Sequence, residues 1–201
     1  YSTSGSSLLC NAQPMIIKGP YDDFAIAHNG NVVNAVQLKK ELQELGCTFS
    51  TTSDSEVLAQ MLANSPGSDW EQRIQYIMRR VQGAYSLAIL TKDSMIAVRD
   101  PLGVRPLCVG SISGGWIVAS ESCALDNLGA SLIREIDPGE AIIVNSDGVK
   151  TLYKSKQRKR ASCIFESIYF ARPDSIIDGK LTYSIRKSMG KQLFPVNEVT
   201  P

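Results

Sequence analysis

The chain has 201 residues, 43% of them hydrophobic and 20% charged, with a formal net charge of +1. These values fit a globular chain that buries a core, and they exclude a charge-rich disordered segment or a globally basic nucleic-acid binder. No run approaches the ~18 consecutive apolar residues of a membrane span, and no signal-peptide pattern opens the sequence. The expectation is a soluble cytoplasmic protein with neither nucleic acid nor membrane as partner.

Two counts narrow the chemistry. One histidine, His28, rules out a multi-histidine metal site within these residues. The five cysteines (Cys10, Cys47, Cys108, Cys123, Cys163) are odd in number, widely spaced and free of any C-x-x-C, which fits reduced thiols rather than a zinc or disulfide framework.

In chain order, a Ser/Thr/Gly/Asn-rich opening turns apolar at Met15-Ile16-Ile17. A Gly19-Pro20 turn leads into a short buried strand, Phe24 to His28. Asn29-Gly30-Asn31 follows, then an amphipathic helix with Leu38, Leu42 and Leu45 on one face and Gly46 as its stop. Ser53 and Glu56 stand in capping-box register before a second helix carrying Val57, Leu58, Met61 and Leu62. Ser68 and Glu71 repeat the device before a third, with Ile74, Ile77, Met78 and Val81. From Ala84 the rhythm becomes that of strands: Ala84 to Leu90, Ser94 to Val98, Leu107 to Ile112, Trp116 to Ser120, Ser131 to Ile136 and Ala141 to Val144. Turn chemistry separates them, notably Asp100-Pro101-Leu102-Gly103 and Ser113-Gly114-Gly115. A last helix is expected from Leu181 to Leu193. Helices grouped early and hairpins later indicate an α+β fold.

Four features carry candidate chemistry. Asn29-Gly30 reads either as a hairpin turn or as a strand end handing over to a helix, where a side-chain amide and a glycine N–H would suit an oxyanion. Asp54 reads either as a first-turn carboxylate favoured by the helix dipole or as a fixed anion for an ammonium group. His28 reads as a satisfied histidine beside a strand end or as a general base. The run from Lys154 to Arg160 reads as a solvated linker or a phosphate contact.

Together the motifs resemble the glutamine amidophosphoribosyltransferase family. They are Tyr1-Ser2-Thr3-Ser4-Gly5, Asn11-Ala12-Gln13-Pro14, Ala27-His28-Asn29-Gly30-Asn31, Thr52-Ser53-Asp54-Ser55-Glu56, the stretch Arg99 to Leu107, Ala119-Ser120-Glu121-Ser122, and Tyr169-Phe170-Ala171-Arg172-Pro173-Asp174-Ser175. The resemblance implies a four-layer αββα N-terminal-nucleophile hydrolase sandwich, followed by the start of an α/β phosphoribosyltransferase domain. The implied boundaries are 1–153 for the glutaminase, 154–160 for a linker and 161–201 for the beginning of the transferase. It implies glutamine and phosphoribosyl pyrophosphate as substrates, a homo-oligomer, and Mg2+ in the transferase part. Asn29 and Gly30 would form the oxyanion hole, Asp54 would hold the substrate ammonium, and Thr3 would lie near its carboxylate. Cys163 is either a ligand of a [4Fe–4S] cluster or a buried thiol at a domain junction. The family's nucleophile is an N-terminal cysteine, whereas position 1 is tyrosine, so residues 1–201 alone are expected to be inert. A non-catalytic glutaminase-like regulatory module and an amidotransferase with another acceptor are the alternatives.

Overall fold

A computed structural model describes residues 7–20, 22–156 and 159–193. They form two compact units, one from residues 1–105 with 136–161 and the other from 106–135 with 162–201.

The first unit is built on a six-stranded antiparallel sheet. Its strands are β1 (Met15–Lys18), β2 (Asp23–Val32), β3 (Gly83–Leu90), β4 (Met95–Arg99), β8 (Glu140–Asn145) and β9 (Gly148–Lys154), in that spatial order. Three helices follow β2 in the chain: α1 (Ala35–Glu44), α2 (Asp54–Ala63) and α3 (Trp70–Arg80). Leu58, Leu62, Ile74 and Ile77 are fully buried with Ile26, Leu87, Ile89 and Ile96 in a single core. Phe24 meets Trp70 edge-on at 5.3 Å between ring centroids, pinning the start of α3 to β2.

Helix ends account for their backbone groups with local chemistry. In α1, Leu38 and Leu42 are buried as the periodicity predicts, but Leu45 is the C-cap and is exposed. Gly46 then takes φ 89°, and Cys47 N–H reaches the Leu42 carbonyl at 2.9 Å, which closes the helix in a left-handed cap. The Ser53 hydroxyl caps α2 through Ser55 N–H at 3.2 Å. Glu56 does not complete the expected capping box; its carboxylate reaches back to Ser50 and Thr51 instead. The cap of α3 is Asp69 rather than Ser68, because Asp69 accepts from Gln72 N–H at 2.8 Å.

The second unit carries a three-stranded sheet of β5 (Cys108–Ile112), β6 (Gly115–Ala119) and β7 (Ser131–Glu135), with α4 (Ser122–Asn127) between β6 and β7. From the later segment come a π-helical turn (Glu166–Phe170), the two-residue strands β10 (Ile176–Ile177) and β11 (Lys180–Leu181), and α5 (Thr182–Leu193). Asp178 and Gly179 both have positive φ, the requirement of the tight turn joining β10 to β11. Glu121 accepts from Arg172 N–H (2.8 Å) and Ser175 Oγ (2.6 Å), while Glu135 accepts from Asp178 N–H (3.0 Å) and Gly179 N–H (3.1 Å). These two carboxylates bind residues 172–179 to the 106–135 segment.

Candidate active site

The site starts from an interrupted strand pair. β1 runs against β2 only as far as the Met15–Ile26 pair, and the residue before Met15 is Pro14, which has no N–H for a ladder. β2 continues through residues 27–32, paired with β3 along its other edge. Successive residues of a strand direct their N–H groups to opposite edges, so His28, Gly30 and Val32 share the edge that β1 has left. The first and last of these have side-chain acceptors. His28 N–H donates to Gln13 Oε1 at 2.5 Å, and Val32 N–H donates to Asp54 Oδ2 at 2.8 Å. Gly30 lies midway between them.

This corrects one expectation. Asn29-Gly30 is neither a hairpin turn nor a strand end, since it sits inside β2 with Asn29 opposite Ser86 and Gly30 opposite Tyr85. The glycine is required by the sheet itself. A Cβ at position 30 would fall 2.0 Å from the Ala84 carbonyl oxygen, and Gly83 is held in the same way against Asn31. Asn29 is exposed and, by the strand's alternation, lies on the face opposite His28.

Helix α2 brings the acidic group to this edge. Asp54 is its first residue, where the helix dipole favours an anion, and it is 5% exposed. Its Oδ1 lies 3.9 Å from His28 Nδ1, too far for a hydrogen bond. The nearer partner of Nδ1 is Ser55 Oγ at 3.0 Å, and that hydroxyl also receives Gln13 Nε2 at 3.2 Å. Burial lowers the His28 imidazole below its ordinary value; Asp54 opposes the shift and the Arg105 guanidinium adds to it. The ring is therefore neutral near pH 7. Glu56, two residues beyond Asp54, receives the N–H and hydroxyl of both Ser50 and Thr51 at 2.7–3.0 Å. Burial alone would raise its carboxyl, but these donors outweigh it and hold the group below the usual glutamate range.

Arg105 is delivered by a cross-braced loop. Arg99 spreads its guanidinium over the carbonyls of Arg105 (2.8 Å), Ile136 (2.7 Å) and Gly103 (3.0 Å). The Asp100 carboxylate collects the N–H groups of Leu102, Val104 and Arg105. Burial nonetheless pushes the Asp100 carboxyl up. The expected turn is present, with Gly103 N–H on the Asp100 carbonyl at 2.9 Å.

The structure thus gathers His28, Gly30 and Asp54, with Asn29 on the same strand segment. Gln13, Ser55 and Arg105 join them, all three within motifs quoted above but not singled out there. Thr3 lies outside the described residues. Cys163 belongs to the other unit and is half-buried. Among the described residues no group of three or more His, Cys, Asp or Glu side chains is placed to hold a metal ion, so no cluster ligand set is assembled around Cys163. No described helix is long and apolar enough to cross a membrane.

The model of a glutamine amidotransferase domain matches residues 6–127. The chain belongs to that family. Its α+β fold with antiparallel sheets is that of the N-terminal-nucleophile class expected from the sequence. An amidophosphoribosyltransferase of Archaeoglobus fulgidus is 46% identical over 96% of the chain and 43% of that protein. One from Homo sapiens is 40% identical over 96% of the chain and 42% of that protein. The solved glutamine phosphoribosylpyrophosphate amidotransferase of B. subtilis, complexed with ADP and GMP, superposes with a TM-score of 0.91 at 41% identity, covering 97% of the chain and 43% of the solved one. This glutamine amidotransferase chain therefore spans about two-fifths of the length of the curated relatives it matches.

Proposed function

We propose that the chain is the glutaminase part of an amidophosphoribosyltransferase, which releases ammonia from glutamine and passes it to phosphoribosyl pyrophosphate in the first step of de novo purine synthesis. The observation that carries the reading is the β2 edge, where Gly30 lies in the strand beside the start of α2 and the Asp54 carboxylate holds the Val32 N–H at 2.8 Å. That arrangement offers a donor for a developing oxyanion beside a fixed negative charge for an amino acid's ammonium group.

The chemistry follows in order. Asp54 Oδ2 is engaged by Val32, which leaves Oδ1 to accept the glutamine α-ammonium. An N-terminal cysteine, none of the five in this sequence, adds its sulfur to the side-chain carbonyl carbon while its α-amine takes the thiol proton. The carbonyl electron pair moves onto oxygen, where Asn29 Nδ2–H and Gly30 N–H stabilise it. Collapse expels ammonia, which carries away the transferred proton, and leaves a thioester that water hydrolyses to glutamate. Ammonia then displaces pyrophosphate to give 5-phosphoribosylamine. Thr3 is assigned to the substrate carboxylate.

Residues 1–153 form the glutaminase in this reading, 154–160 the linker, and 161–201 the entry to the transferase. Mg2+ is assigned to the transferase, outside these residues, and Cys163 to a [4Fe–4S] ligand in those members that bind a cluster. The complete protein, given amide-15N glutamine and phosphoribosyl pyrophosphate, is expected to form glutamate, pyrophosphate and 15N-labelled phosphoribosylamine in equal amounts. Glutamate without labelled amine would redirect the ammonia to another acceptor; no glutamate at all would refute the reading.

A further inference from the structure

We propose that Gln13 is a positioning residue of the glutamine site, its side-chain amide standing in for a strand residue on the β2 edge and fixing the Gly30 strand to the Asp54 helix. The inference rests on the function proposed above and adds a residue to it.

The need arises from backbone accounting. Past Ile26 the β2 edge has no strand partner in β1, and two of its N–H groups turn to side-chain acceptors instead. At His28 the acceptor is Gln13 Oε1, at 2.5 Å. A backbone N–H can only donate, so the amide oxygen must face His28, and its NH2 must face the other way. There it meets Ser55 Oγ at 3.2 Å, in the first turn of α2. Ser55 Oγ in turn lies 3.0 Å from His28 Nδ1, which closes a ring of three hydrogen bonds through β2, Gln13 and α2. Next to it the Asn11 amide makes a two-point clamp on Thr52, donating to Oγ1 at 3.0 Å and accepting from N–H at 3.1 Å. The segment Asn11-Ala12-Gln13 therefore fastens the entry of α2 to β2 at both of its ends.

Ser55 Oγ has two lone pairs and one proton, so it accepts from Gln13 Nε2 and still pairs with His28 Nδ1 in either tautomer of the ring. Asp54 Oδ1 lies 3.9 Å from His28 Nδ1, beyond hydrogen-bond reach, and that oxygen keeps its acceptor capacity for a substrate ammonium. The ring thus sets the spacing between the oxyanion donor and the carboxylate.

The test uses the complete protein and three variants, Gln13→Ala, Ser55→Ala and the double variant. Steady-state glutamine hydrolysis is measured beside product formation with ammonia supplied in place of glutamine, a reaction that bypasses the site. A displaced oxyanion donor is expected to lower kcat for glutamine by about 10- to 100-fold in Gln13→Ala, while ammonia-dependent activity stays unchanged. The double variant is expected to be no slower than the slower single variant, because both substitutions open the same ring. An unchanged kcat in Gln13→Ala, multiplying losses in the double variant, or a parallel fall in both activities would overturn the positioning role. Should Gln13→Ala not fold, Ser55→Ala carries the same comparison. A wild-type protein that does not hydrolyse glutamine would instead remove the proposed function, a result distinct from all of these.

Discussion

Asp54 has two oxygens and two assignments: one accepts the Val32 N–H at 2.8 Å, and the other is left for a cation. The substitution Asp54→Asn keeps an acceptor for Val32 and removes the charge, so it separates the two. A charge-assisted hydrogen bond lost from the ground state is expected to raise KM for glutamine by about 10- to 100-fold with a smaller change in kcat. Initial-rate kinetics on the complete protein check this, and an unchanged KM would remove Asp54 from the substrate site. Residue identities of this kind were legible in the sequence, since Asn29, Gly30 and Asp54 stand in short contiguous motifs; the structure places Gly30 on the open β2 edge near the start of α2, with Asn29 beside it on the strand and its side chain on the face opposite His28. His28 stood out as the one histidine, whereas Gln13 and Ser55 were legible only as members of motifs. The ring they form joins positions 15, 27 and 42 residues apart, and no local spacing encodes such a closure.

Among the elements, α2 gives the clearest pH signature. Glu56 holds four donors from Ser50 and Thr51, which tie the incoming loop to the helix. Its carboxyl lies below the ordinary value of 4.5 in the folded protein. On acidification through that value the unfolded chain takes up the proton first, so the stability contributed by Glu56 is present above it and is lost as the pH falls towards the folded value. The variant Glu56→Gln is therefore expected to lower Tm at pH 7 and to flatten the loss of Tm between about pH 5 and pH 3. Asp100, shifted in the opposite direction, is common to both proteins and cancels from the comparison. Thermal melts across that range check the effect, and parallel curves would contradict it. The sequence placed the helices well because apolar spacing reports the buried face directly. It placed β2 poorly, because Asn-Gly reads as a turn, whereas the glycine is here to let β2 and β3 approach where the Ala84 and Tyr85 backbone faces it. It also placed the α3 cap one residue early, since Asp69 outcompetes Ser68 for the Gln72 N–H.

For the whole molecule, α+β layering followed from the order of helices and hairpins, but the composition of the second unit did not. Residues 106–135 and 162–193 are brought together by Glu121 and Glu135, whose partners, the Ser175 hydroxyl apart, are backbone N–H groups with no identifying side chain. In that unit the stripe Leu181, Ile185, Met189 and Leu193 predicts a packed helix face, yet Leu181 and Leu193 of the described residues are exposed. The account as a whole turns on β2 acting as an oxyanion site that feeds a transfer reaction, and Asn29 tests it with least risk to the fold because its side chain is exposed. The measurement is glutamine-dependent against ammonia-dependent phosphoribosylamine formation by the complete protein and its Asn29→Ala variant. Loss of one oxyanion donor is expected to lower kcat with glutamine by about 10²- to 10³-fold and to leave the ammonia reaction intact. Equal rates with glutamine in the two proteins would contradict the central claim.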